Sequence, residues 1–116
     1  MNRKAIILFF SFLLFFSGIS LPSVPGIARA SEIPVKGMVT LVDIGSDSCT
    51  PCKMMMPVLR ELQEEYKGKA AIIVLDVGRD KDRSRPFGLR VVPTQIFFDK
   101  EGKEVGRHEG FMDRKG

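Results

Sequence analysis

Tryptophan is absent from this sequence, histidine and tyrosine occur once each, and cysteine occurs only twice. A single histidine, His108, leaves no second imidazole for a metal site, so it reads as a solvated residue on a polar strand. One Cys-x-x-Cys run supplies only half of a four-thiolate zinc site. No apolar run reaches the roughly 20 residues that a membrane-spanning helix needs. No internal repeat or low-complexity tract is present, and 116 residues leave room for one domain.

The longest apolar run, Ala5 to Ile19, belongs to a leader. Arg3 and Lys4 precede it, Pro22, Pro25 and Gly26 interrupt any helix after it, and Ala28-Arg29-Ala30 offers small residues where a signal peptidase cuts. Residues 1–30 are therefore expected to be a secretory signal peptide, with the working domain at 31–116. Export to a bacterial periplasm is the expected location, and membrane association is expected only if the leader stays uncleaved. No cysteine near the cut supports a lipid anchor. The leader also holds three of the 18 Lys and Arg and none of the 14 acids, so the remainder carries a net charge of +1. The basic excess belongs mainly to the export signal, and nucleic-acid binding loses its main support.

Within the mature part, Met38 to Ile44 is β-branched and nearly all apolar, as suits a strand covered on both faces. Asp43 is the exception, an acid where a buried side chain is expected. Gly45 to Ser48 makes a loop ending at Cys49. From Pro51 the spacing turns helical, with Met55, Val58, Leu59, Leu62 and Tyr66 on one side and Arg60, Glu61, Glu64 and Glu65 on the other. Pro57 is expected to bend this helix and Gly68 to stop it. Ala70 to Val77 is a second strand, Gly78 to Arg85 a charged loop or short helix, and Gln95 to Phe98 a third strand. Asp99 to Gly102 suits a tight turn, returning through a polar edge strand at Lys103 to Glu109. The order predicts an α/β domain with a mixed central sheet flanked by helices.

Cys49 and Cys52 are the only cysteines, three positions apart. A crosslink closing so small a loop removes little entropy from the unfolded chain, which makes it a poor structural staple. At a helix start, exposed N–H groups and the positive dipole end favour a thiolate, and Lys53 adds positive charge. Cys52 lies about one turn on, within reach of the first sulfur. The pair can therefore capture a disulfide with Cys49 and resolve the mixed disulfide with Cys52.

The run from Leu41-Val42-Asp43 to Cys49-Thr50-Pro51-Cys52-Lys53, followed by Val92-Pro93-Thr94 and Gly110-Phe111, resembles the thioredoxin family over about Met38 to Phe111. The resemblance implies a thioredoxin-like fold and a thiol–disulfide oxidoreductase that needs no cofactor beyond its own cysteine pair. Its partners would be protein thiol or disulfide substrates and a redox partner not identifiable from the sequence. It maps the nucleophile onto Cys49, the resolving thiol onto Cys52, and the buried acid, a candidate general base, onto Asp43. A cis-proline lining the substrate groove maps onto Pro93, with Val92 offering its backbone to a substrate strand. In an apolar strand, desolvation should raise the pKa of Asp43.

Four positions depart from the family pattern. Ser48 and Gly45 stand where aromatics are usual, which implies a more open and polar groove. Thr50 replaces a glycine, and Ala70 to Val77 has no lysine to partner Asp43. The family's C-terminal helix is also expected to be missing, since only Met112 to Gly116 follow Gly110-Phe111: either the sequence is a piece of a longer chain or one sheet face is left bare. Two other readings compete with the enzyme. Cys49 and Cys52 beside Met54, Met55 and Met56 offer soft sulfur ligands for copper, although consecutive helical residues point in different directions. A non-catalytic binding module could also keep the fold. Among the enzyme directions, reductase is expected, because the domain is too short for the inserted helical region of dedicated oxidants.

Overall fold

The computed structural model describes residues 32–116; the expected signal peptide at 1–30 and its cleavage lie outside the described residues. Four strands form one mixed sheet in the order β2-β1-β3-β4. Strand β1 spans Val39–Gly45 and is followed by helix α1, Thr50–Glu65. Strand β2, Ala70–Asp76, lies parallel to β1. A one-turn helix α2 at Lys81–Ser84 and a 3-10 turn at Arg85–Phe87 lead to β3, Thr94–Phe98, and β4, Glu104–Glu109. Both later strands run antiparallel to their neighbours. Among the described residues no helix is long and apolar enough to cross a membrane.

The central place of β1 explains its composition. Alternate side chains point to opposite faces of a sheet, and both faces of β1 are covered. Val42 and Ile44 pack with Leu75, Ile96 and Phe98 on one face, under Phe87 and Leu89 from the segment after α2. The Phe87 and Phe98 rings meet edge to face at 6.1 Å. On the other face Leu41 packs with Met55 and Leu59 of α1 and with Phe97 of β3. Asp43 points to this second face, as does Gln95, its direct partner in the antiparallel register.

Strand β1 starts one residue later than its apolar run suggests and includes Gly45. The Gly45 carbonyl accepts the Val77 N–H at 2.9 Å and so extends the ladder. At the far end of α1, the Tyr66 carbonyl accepts from both Lys69 and Ala70. Gly68 adopts a φ of +77°, the left-handed region that favours glycine, and turns the chain into β2. The charged segment expected to be loop or helix is both, a loop through Gly78 and then α2. After β4, Gly110 to Gly116 form no helix. Met112 packs on the second core cluster, and Arg114 reaches Glu61 at 2.7 Å and Glu65 at 2.6 Å on α1. The face expected to be bare is thus crossed by a short tail, beneath which a groove of about 330 Å³ runs along Leu41, Val58, Ile72 and Phe97.

The second cluster anchors α1 and therefore the cysteine pair at its tip. Leu59 is 1% exposed within it, whereas Met54 is 57% exposed on the same helix. Leu59→Ala should cost about 2–5 kcal/mol through lost burial and the cavity left behind. Met54→Ala should stay within about 0.5 kcal/mol. Equilibrium urea unfolding of both variants measures the contrast.

Candidate active site

Cys49 is the N-cap of α1, in an extended conformation just outside the helix. Its sulfur accepts the Cys52 N–H at 3.3 Å, and its carbonyl accepts the Lys53 N–H at 3.1 Å. A sulfur in this place takes the role that a serine or aspartate oxygen usually plays at a helix start. Pro51 sits in the first turn, where its missing N–H breaks no helical hydrogen bond. The two cysteines are joined as a disulfide, with Cα atoms 5.3 Å apart. Cys49 is half-exposed and Cys52 is buried, so a partner arriving from solvent meets Cys49 first. Once reduced, Cys49 would keep the amide and dipole that stabilise negative charge on sulfur.

The loop before Cys49 is fastened to the end of β2. Asp76 accepts the Asp47 N–H at 2.8 Å while also accepting the N–H groups of Gly78 and Arg79. The Arg79 and Gly78 amides, with the Asp47 amide, hold the Asp76 carboxyl below its ordinary range. An exposed Arg79–Asp47 ion pair at 3.1 Å ties the same two loops.

Facing Cys49 is the turn before β3. The Val92–Pro93 peptide bond is cis. The Thr94 hydroxyl donates to the Val91 carbonyl at 2.8 Å, and Gly110 N–H donates to the Pro93 carbonyl at 2.8 Å. Those two bonds leave the Val92 carbonyl aimed at the site, 3.9 Å from Cys49 Sγ. Among the described residues the Val92 N–H and carbonyl have no backbone partner. Val91 is 47% exposed beside them, and a bidentate Arg90–Glu109 ion pair borders the turn.

Behind the pair lies Asp43, 1% exposed. Burial pushes its carboxyl above the ordinary value, partly opposed by a hydrogen bond from Gln95 Nε2 to Oδ1 at 2.8 Å. Its other oxygen, Oδ2, shares the space over Gly45 with Cys52. A Cβ added at Gly45 would stand 3.1 Å from Cys52 Cβ, 3.3 Å from its sulfur and 3.9 Å from Oδ2. The glycine therefore does more than open the groove, since it lets the second cysteine sit against the end of β1. Asp43, Cys52 and Gly45 also line a cavity of about 320 Å³ with Lys53 and Arg60 at its α1 side.

Of the residues singled out in the sequence, Cys49 and Cys52 are bonded to each other, Asp43 and Cys52 both approach Gly45, and Val92, next to Pro93, faces Cys49. Gln95, which hydrogen-bonds Asp43, is the neighbour that the sequence pattern alone did not single out. Its signal was present, because an amide in the apolar run after Thr94 needs a buried partner and Asp43 is the only acid in β1. The three methionines diverge as helical geometry requires. Met54 is exposed, Met55 is buried with its sulfur accepting the Met112 N–H, and Met56 is half-buried. Among the described residues no group of three His, Cys, Asp or Glu side chains is placed to hold a metal ion.

The raised Asp43 pKa has a consequence for stability. The folded protein holds the Asp43 proton more tightly than the unfolded chain, so stability is greatest below the unfolded value and falls as pH rises through the folded one. Asp43→Asn, which keeps an amide partner for Gln95, should therefore raise the neutral-pH melting temperature by on the order of 5 °C. The gain should vanish below about pH 4, where both states are protonated. Thermal melts of the oxidised proteins across pH check the sign.

Comparison with known proteins gives a consistent result. The thioredoxin family model matches residues 30–116. A Staphylococcus aureus thioredoxin is 40% identical over 81 residues, covering 70% of this chain and 77% of that protein. A Staphylococcus saprophyticus thioredoxin matches to the same extent. Among solved structures, Fasciola hepatica thioredoxin superposes with a TM-score of 0.58 at 28% identity, over 65% of this chain and 70% of that one. The germline-specific thioredoxin Deadhead of Drosophila melanogaster, 23% identical with a TM-score of 0.58, shares the fold. With a Cys49–Cys52 pair at the head of α1 and these relatives, the chain belongs to the thioredoxin family and is a thiol–disulfide oxidoreductase.

Proposed function

We propose that this oxidoreductase is an exported reductase of protein disulfides, with Cys49 as nucleophile and Cys52 as resolving thiol. The observation that carries the reading is the half-exposed Cys49 at the tip of α1, opposite a Val92 backbone that has no backbone partner among the described residues. An extended substrate segment can pair with Val92 as an added strand, with Pro93 forming the floor of the groove. That places a substrate sulfur over Cys49. The Cys49 thiolate attacks it, the substrate S–S bond breaks, and one substrate thiolate leaves. Cys52 then loses its proton and attacks Cys49 Sγ. The mixed disulfide breaks, the second substrate thiolate leaves, and the Cys49–Cys52 disulfide remains.

The acceptor for the Cys52 proton is Asp43. Burial supports this role, since a carboxylate with raised proton affinity is matched to a thiol better than an ordinary one. Transfer runs to Oδ2 over Gly45, directly or through one water in the adjoining cavity. Export is supported by the leader pattern of residues 1–30, which points to periplasmic substrates. A separate thiol donor must re-reduce the pair after each cycle.

Cys49→Ser should lower reduction of an exposed protein disulfide to the uncatalysed background. Cys52→Ser should instead accumulate a covalent mixed disulfide with substrate, visible as a mass shift that dithiothreitol reverses. Direction is tested by equilibrating the pair with glutathione: a reductase requires a potential more negative than the glutathione couple, and a value well above it would assign an oxidant.

A further inference from the structure

Asp43 is buried beside an amide where a charged partner would be the simplest means of holding it. Gln95 is itself 1% exposed and stands directly across the β1–β3 ladder. Its Nε2 donates to Asp43 Oδ1 at 2.8 Å, while its Oε1 is buried without any hydrogen-bond partner. A buried amide oxygen left unpaired is costly and calls for an explanation. The cost has a use here. With the far end of the amide bonded to nothing, only Asp43 selects which end faces the acid.

A carboxylate accepts hydrogen bonds, whereas a protonated carboxyl also offers an O–H to donate. A primary amide can answer both, because its NH2 and oxygen are nearly the same size and half a turn about the last side-chain torsion exchanges them. We infer that Gln95 is a positioning residue for the buried acid, its amide turning end for end with the protonation of Asp43. It donates through Nε2 to the carboxylate and accepts through Oε1 from the acid. The inference rests on the reading of Asp43 as the base for Cys52, and says how that base avoids being stranded in either state. When Cys52 gives up its proton to Oδ2, half a turn of the Asp43 carboxyl brings the O–H round to Gln95 and the amide turns to accept it; when the proton leaves, the amide returns.

The other groups around Asp43 leave this task to Gln95. On β2 its partner across the ladder is Val74, which is apolar. From α1, Cys52 is the proton source, and Lys53 and Arg60 line the cavity from exposed positions. At the end of β2 and after it, Asp76 is occupied by backbone amides and Arg79 by Asp47, and Asp80 accepts from the Asp76 amide. On β4, His108 follows Gln95 in the same row, with Nε2 3.3 Å from the Phe111 carbonyl. Among the described residues Gln95 alone hydrogen-bonds the Asp43 side chain.

Nuclear magnetic resonance on the reduced protein tests this, following the Asp43 carboxyl carbon and the Gln95 side-chain amide together across pH. The Gln95 amide signals should move with the same midpoint as the Asp43 carboxyl. Gln95→Met, which keeps the length and removes both polar ends, should shift the Asp43 midpoint upward by about one pH unit, the size expected for one lost charge-assisted hydrogen bond. The pH profile for release of substrate thiol from the Cys49 mixed disulfide should move with it, about tenfold slower on the rising limb. Amide signals that stay flat through the Asp43 midpoint, or an unmoved midpoint in Gln95→Met, would overturn the inference. A shifted midpoint with an unmoved rate profile would uphold Gln95 as the positioning residue and remove Asp43 as the base.

Discussion

The contact between the Cys49 sulfur and the first turn of α1 is the constraint on which the site depends. By accepting the Cys52 N–H, the sulfur ends the loop, starts the helix and fixes the spacing of the two thiols in one stroke. A helix start leaves its first N–H groups unsatisfied by the helix itself. An anionic sulfur satisfies them better than a neutral one, so the capping bond and the reactivity have the same origin. The rest of the fold serves to keep this tip in place. Met55 and Leu59 hold α1 against β1, and Asp76 holds the preceding loop against β2.

Behind the thiols the sheet does something a packed core ordinarily avoids. It buries an acid and an amide side by side and leaves one amide oxygen unpaired. Polar groups in such surroundings lower stability unless they are paired, and among the described residues no charged side chain hydrogen-bonds the acid, Lys53 and Arg60 lining the adjoining cavity from exposed positions. The asymmetry makes sense for a group that must change its protonation state, because a strong fixed counter-charge would favour one state over the other. Gly45 completes the arrangement by leaving room for Cys52 beside the end of β1, with Asp43 Oδ2 bordering the same space.

Most of the fold was legible in the sequence because its elements differ so sharply in pattern. The apolar run through β1, the three-and-four spacing from Met55 to Tyr66 and the Asp99–Gly102 turn each admit one simple reading, and each lies within about a residue of where the pattern places it. The cysteine pair was legible for a chemical reason, since nothing about packing asks for two thiols one turn apart. Asp43 was legible as an anomaly within an apolar strand, and the desolvation that raises its pKa follows from that placement. Gln95 was not read, because its meaning depends on strand register: only the antiparallel pairing of β1 with β3 sets it opposite Asp43. The full role of Gly45 was hidden likewise, since its crowding by Cys52 arises where a strand end meets a helix start. Contacts across the sequence, 29 residues apart for Asp47 and Asp76, leave no local pattern to read.

The central claim is that the helix tip makes one sulfur anionic and accessible while the other waits beneath it. Timed alkylation of the reduced protein with iodoacetamide at mildly acidic pH, followed by peptide mass mapping, tests it most directly. Cys49 should be modified many times faster than glutathione under the same conditions, with Cys52 left unmodified until the protein unfolds. Equal modification of both cysteines at the pace of an ordinary thiol would contradict the account.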